Sequence, residues 1–197
     1  MGCRVGILAI QGDIEAHADA LGRIGAEGVP VLRARDLDGL NGLILPGGES
    51  TTISKGLSRL ELWDPLREFI AAGRPVLGTC AGAILLARKI EQDRESESRE
   101  PVGSLNAIDV TARRNAYGTQ VDSFSAPADP GGAPGLSGMR CVFIRAPQLV
   151  DPGPDVEVLL RVDEQPVLVR QDRVLACAFH PELTQDPCVH RLLLEEC

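Results

Sequence analysis

Three short apolar runs, Val5–Ile10, Gly42–Leu45 and Val76–Gly78, each stop at a turn and hand over to a segment of helical character. Runs without polar alternation suit strands buried on both faces. Val29–Leu32 reads as a further strand. Between these runs, Asp13–Gly25 carries Ile14, Ala18, Leu21 and Ile24 near helical spacing. Glu49–Leu57 and Asp64–Ala72 also read as helices, the latter capped by Asp64 with Pro65 at its first position. This alternation predicts an α/β chain of three layers, with a mostly parallel mixed sheet and helices on both faces. Ligands in such sheets gather at the carboxyl ends of strands. Three of those ends carry unusual residues here: Gln11-Gly12, Pro46–Ser50 and Cys80.

The second half changes character. Glu91–Glu100 is dense in charge and reads as a solvated excursion. Leu105–Arg113, Val121–Ala126, Arg140–Ile144, Val156–Val162, Val167–Gln171 and Val174–Phe179 read as shorter strands, with Pro127–Gly138 a surface loop. Asp186–Glu195 is the last helix. With 197 residues and no linker of domain size, residues 1–197 are expected to form one domain.

Composition narrows the setting. A net charge of −8 argues against a nucleic-acid-binding surface. The apolar run after Met1-Gly2-Cys3-Arg4 is too short to span a bilayer, and no secretion signal precedes it, so no membrane role and a cytoplasmic setting are expected. Six cysteines in such a setting are expected to be reduced. Cys3, Cys141 and Cys177 sit in apolar runs and are expected in the core. No pair has Cys-x-x-Cys spacing, so no metal site is expected, and no cofactor motif is visible.

The chemistry concentrates at Cys80. Gly78-Thr79-Cys80-Ala81-Gly82 joins a strand to a helix expected over Ala81–Ile90. The small residues let the two backbones pass closely, and the turn pushes the thiol out at the sheet edge. A helix N-terminus there favours thiolate. The strand Val174–Phe179 delivers a second element, His180-Pro181-Glu182. Pro181 biases His180 toward extended backbone, and residues two apart in an extended chain point the same way. A carboxylate on one imidazole nitrogen leaves the other free to face a thiol. The other two histidines lack such a partner: His17 reads as solvated or a partner contact, His190 as a helix-surface residue. A third element is Pro46-Gly47-Gly48-Glu49-Ser50, a turn able to present N–H groups to a developing oxyanion. It lacks the lysine of a Walker phosphate loop.

These elements resemble the class I (triad) glutamine amidotransferases, whose signature is a nucleophilic cysteine followed by His-x-Glu near the C-terminus. LPGGESTT (45–52), GTCAG (78–82), RNAYG (114–118), QVDSF (120–124), FIRAP (143–147) and FHPELT (179–184) are similar, more narrowly, to the glutaminase subunits of pyridoxal 5'-phosphate synthase. The resemblance spans nearly the whole chain. It implies the flavodoxin-like fold of that class and hydrolysis of L-glutamine to L-glutamate and ammonia. Cys80 is then the nucleophile, His180 the general acid and base, and Glu182 its orienting partner. Gly48, Glu49, Ser50, Arg114, Ile144 and Arg145 contact glutamine, and Gly47, Gly48 and Ala81 supply the oxyanion hole. The implied partner is a (β/α)8-barrel synthase subunit in a large hetero-oligomer, which receives the ammonia and makes pyridoxal 5'-phosphate. That product is not a cofactor of this chain. Gln11 is expected to sense the docked partner. Departures from the family pattern are small: Tyr117, Ala83 and the charge of Glu91–Glu100.

Three other readings stay open at this point: the same triad serving a different synthase, a cysteine peptidase of similar architecture, and a non-catalytic regulatory subunit.

Overall fold

The structure is a computed structural model describing residues 2–91, 101–114, 123–130, 135–136, 138–195 and 197. The charged stretch 92–100, residues 115–118 of RNAYG and 120–122 of QVDSF lie outside it, as does part of the expected loop 127–138.

The first half follows the expected alternation. Strand β1 (Arg4–Leu8) leads to α1 (Ile14–Gly22), β2 (Glu27–Val31), β3 (Gly42–Leu45), α2 (Ser50–Arg59), α3 (Trp63–Ala71), β4 (Val76–Thr79) and α4 (Ala81–Leu86). Asp13 caps α1 by accepting the Ala16 N–H. Helix α3 starts earlier than expected. Leu62, fully buried, is its N-cap, so Asp64 and Pro65 lie inside the first turn. Burying Leu62 fixes the entry to α3, and Pro65 is harmless there because first-turn N–H groups need no helical acceptor.

Helix α4 is shorter than expected. At Ala87 the chain turns extended and continues as β5 (Ala87–Glu91), parallel to β6 (Ile108–Arg113). Residues 87–90 have adequate helix propensity, but pairing with a distant strand overrides it, a decision that local sequence cannot carry. The remaining elements are β7 (Ser123–Pro127), β8 (Asp129–Pro130), β9 (Arg140–Ile144), β10 (Gln148–Val150), β11 (Glu157–Val162), β12 (Gln165–Gln171), β13 (Val174–Cys177) and α5 (Cys188–Glu195).

The main sheet has the order β2-β1-β3-β4-β13-β12-β11-β8. It is parallel from β2 to β13 and antiparallel beyond. Two small sheets, β10-β6-β5 and β7-β9, flank it. The chain leaves β1 toward one edge and β3 toward the other. Right-handed crossovers therefore put α1 on one face and α2 and α3 on the opposite face. The carboxyl ends of β1 and β3 border the switch point where an α/β sheet opens a crevice. One continuous core of Leu, Val, Ile and Ala fills both interlayer spaces, with Phe143 and Phe179 its largest buried side chains. Cys141 and Cys177 are buried as expected, whereas Cys3 is only partly buried. No helix among the described residues is long and apolar enough to cross a membrane.

Candidate active site

The pairing of β13 with β4 sets the site. The two strands run parallel with Cys177 opposite Thr79, so their carboxyl ends stop level with each other. Cys80 follows directly from β4, and its N–H donates to the Cys177 carbonyl at 2.8 Å. Its backbone stands at φ 48°, ψ −102°, a conformation that L-residues avoid and that costs on the order of 1–3 kcal/mol. The strain persists because β4 and α4 are packed too closely for another path. A side-chain carbon on Gly82 would fall on the Leu45 carbonyl of β3, and one on Gly78 would lie 2.6 Å from the Gly82 backbone.

His180 lies just beyond β13, and its N–H is anchored to the Val142 carbonyl of β9 at 2.8 Å. The chain then turns at once into a 3-10 turn, Pro181–Leu183, instead of remaining extended. The expected pairing is reached by this different route: His180 Nδ1 stands 2.7 Å from Glu182 Oε1. Burial pulls His180 toward neutrality, but hydrogen bonding and charge from Cys80 and Glu182 outweigh it and push the imidazole up to about 10. Burial also opposes ionisation of Glu182, yet the hydrogen bond to His180 and the nearby histidines hold its carboxyl below the usual range. These shifts suit an imidazolium held between sulfur and carboxylate.

Gly47 closes the third side. A side-chain carbon there would overlap the His180 ring and come within 3.4 Å of Cys80 Cβ, so only glycine lets β3 end against both groups. The following turn is tied down by Gln11, whose Oε1 accepts the Glu49 N–H at 2.9 Å. Gln11, expected at a partner-sensing position, thereby braces the glycine turn.

A cavity of about 570 Å³ opens over these groups. Cys80 and His180 line it together with Gly48, Glu49, Ser50, Arg114, Ile144 and Arg145, so every residue assigned to substrate contact on the sequence reaches one space. Gln11, Thr51 and Ile84 complete the lining. Glu182 lies behind His180, away from the cavity. Ala81 is buried as the first residue of α4, where helical N–H groups have no intrahelical acceptor. Arg145 Nη2 reaches Glu49 Oε1 at 3.7 Å across the mouth. Arg114 Nη1 is buried with no hydrogen-bond partner among the described residues, and burial lowers the guanidinium pKa. The cavity is thus lined by a thiol, an imidazole and a half-buried guanidinium.

Two expectations fail here. His17 is neither solvated nor free for a partner, and His190 does not face the helix surface: both are fully buried. His17 Nδ1 lies 3.0 Å from His190 Nε2, and His17 Nε2 lies 3.6 Å from Glu182 Oε2. The signal was present in the pattern. His17 shares the inward stripe of Ile14, Ala18 and Leu21, and His190 neighbours Val189 and Leu193, the positions that dock α5.

The SNO glutamine amidotransferase family model matches residues 7–197. The chain belongs to the SNO glutamine amidotransferase family. The family expected from the motifs is therefore the one found. Among its relatives is pyridoxal 5'-phosphate synthase subunit PdxT of Frankia alni, 50% identical over 98% of this chain and 94% of that protein. The PdxT subunit of Thermotoga petrophila is 46% identical over 98% of each chain. A crystal structure described as a glutamine amidotransferase superposes with a TM-score of 0.87 at 44% identity, covering 98% of this chain and 97% of that one. A structure of PurLQS from Thermotoga maritima has a TM-score of 0.72 at 17% identity over 99% of each chain, a likeness of fold alone. Among the described residues no cluster of histidine, cysteine and carboxylate side chains is arranged to hold a metal.

Proposed function

We propose that this chain is the glutaminase subunit of a pyridoxal 5'-phosphate synthase, and that it works as one domain. The observation that carries the reading is the strained Cys80 elbow facing the same cavity as a His180 paired to Glu182 at 2.7 Å. The specific acceptor pathway is supported by relatives named PdxT that are 46–50% identical over 98% of the chain.

The reaction follows from the residues. L-Glutamine enters with its α-carboxylate toward Arg114, whose guanidinium Nη1 has no hydrogen-bond partner among the described residues, and with Gly48, Glu49, Ser50, Ile144 and Arg145 around it. The Cys80 thiolate attacks the side-chain amide carbon. The amide oxygen becomes an oxyanion held by the N–H of Ala81 and by the Gly47-Gly48 turn, where loss of one donor costs about a hundredfold to a thousandfold in rate. His180 passes its proton to the departing nitrogen, ammonia leaves, and a thioester remains on Cys80. The now neutral His180 takes a proton from water, the resulting hydroxide cleaves the thioester, and L-glutamate departs. Glu182 orients His180 through both halves and stabilises its charged form.

Ammonia released into water would be protonated and lose its nucleophilicity. It is therefore passed directly to a (β/α)8-barrel synthase subunit in a hetero-oligomer, which combines it with ribose 5-phosphate and glyceraldehyde 3-phosphate. The test uses the reconstituted complex. Cys80→Ala should abolish glutamine-dependent formation of pyridoxal 5'-phosphate and leave ammonia-dependent formation intact. Retention of the glutamine-dependent rate would refute the assignment of Cys80, and loss of both activities would refute the division of labour.

A further inference from the structure

The residues His17 and His190 are buried ionisable groups for which the proposed reaction has no use. Burying an imidazole with incomplete hydrogen bonding is costly, so two at one spot call for a reason. They come from opposite ends of the chain, His17 on α1 and His190 on α5, and meet behind Glu182. Glu182 Oε1 is occupied by His180, whereas the buried Oε2 has no hydrogen-bond partner among the described residues. His17 Nε2 faces it at 3.6 Å and also lies 3.4 Å from Thr79 Oγ1.

The direction of the chain can be worked out. A carboxylate only accepts. If His17 carries its proton on Nε2, that N–H faces Glu182 Oε2 and Thr79 Oγ1, and Nδ1 is left as an acceptor. His190 Nε2–H then donates to His17 Nδ1 across 3.0 Å. The remaining His190 Nδ1 is a bare lone pair, and it is indeed a buried atom with no partner among the described residues. The opposite tautomer turns a lone pair of His17 toward an anion and leaves His190 with an orphaned buried N–H, the rarer and costlier defect.

We propose that His17 is a positioning residue for Glu182: its Nε2–H faces the outer carboxylate oxygen, and His190 fixes that tautomer. This rests on the triad reading above and extends it to the series Cys80–His180–Glu182–His17–His190. The role requires both rings to be neutral. The charged groups acting on them are consistent with that: around His17 stand Glu182, His180 and Asp13, around His190 stand Glu182 and Arg23, and burial outweighs the attraction of the carboxylates.

The test begins with the unaltered protein. The chain has three histidines, so long-range nitrogen–proton NMR spectra of uniformly 15N-labelled protein can resolve each ring. At pH 7, His17 and His190 should both be neutral with the proton on Nε2. A proton on His17 Nδ1, or a charged His17, overturns the proposal, whatever the fate of any variant. In the complex with the synthase subunit, His17→Met should lower kcat for glutamine by on the order of ten- to a hundredfold with little change in KM. It should also move the acid limb of the rate profile upward, because a carboxylate that has lost its donor protonates more readily. His17→Gln, which keeps an N–H near Nε2, should restore kcat and the limb. A folded His17→Met protein with an unshifted limb overturns the proposal. An active Glu182→Gln protein would instead sink the triad reading, so the two failures are told apart.

Discussion

Acidification from pH 7 to pH 5 should destabilise this fold before its surface carboxylates begin to titrate. The perturbation acts on the His17–His190 pair. Burial, with a smaller push from His17, holds His190 down at about 3, and burial likewise lowers His17. In the unfolded chain both titrate near the ordinary value of about 6.5. A lowered base contributes stability that is complete above about pH 6.5 and is lost as pH falls, because the unfolded state binds the proton first. For His190 alone the loss between pH 7 and pH 5 is about 2 kcal/mol, and His17, lowered in the same direction, adds to it. His180 opposes this. With its imidazole raised to about 10, its contribution is complete only below about pH 6.5 and restores about 1 kcal/mol over the same interval. Glu182, held below its ordinary range, keeps its contribution above the ordinary carboxylate value and loses it only as pH falls from there. The net loss is at least about 1 kcal/mol, a sizeable share of the 5–15 kcal/mol typical of such folds. Urea unfolding under reducing conditions at fixed ionic strength measures it. The midpoint should fall by on the order of 1 M at unchanged slope. His190→Leu should show a shallower fall over the same interval. A midpoint that is constant or rises on acidification would refute the claim that the pair is buried neutral.

Gly82→Ala places a methyl group on the Leu45 carbonyl where α4 crosses β3. Overpacking there should cost at least about 2 kcal/mol and lower Tm by about 4–8 °C, read by calorimetry, and an unchanged Tm would show that the crossing is loose. Arg114→Gln removes the half-buried cation from the cavity wall. Loss of a charge-assisted contact worth about 1.5–3 kcal/mol should raise KM for glutamine ten- to a hundredfold in the complex, with kcat changed far less. An unaltered KM would place the substrate carboxylate elsewhere.

What the sequence determined by itself was the chemistry that is local in the chain. Continuous apolar runs announce strands buried on both faces, and glycines flanking a cysteine announce a close strand–helix crossing, because each signal is written in consecutive residues. The Gly78–Gly82 crossing and the His180–Glu182 pairing were legible for that reason. The latter was reached through a 3-10 turn instead of an extended strand.

Tertiary structure decided what depends on pairing between distant segments. Residues 87–90 read as the end of a helix until β6 offered them a strand to pair with. The parallel docking of β13 against β4 was needed to set an imidazole from the far end of the chain beside a mid-chain sulfur. His17 and His190 each sat on an inward-facing helical stripe. Only the packing of α1 and α5 around the Glu182 turn joined them into one network. A 3.0 Å hydrogen bond between rings 173 residues apart depends on the relative placement of whole elements, which no local propensity specifies.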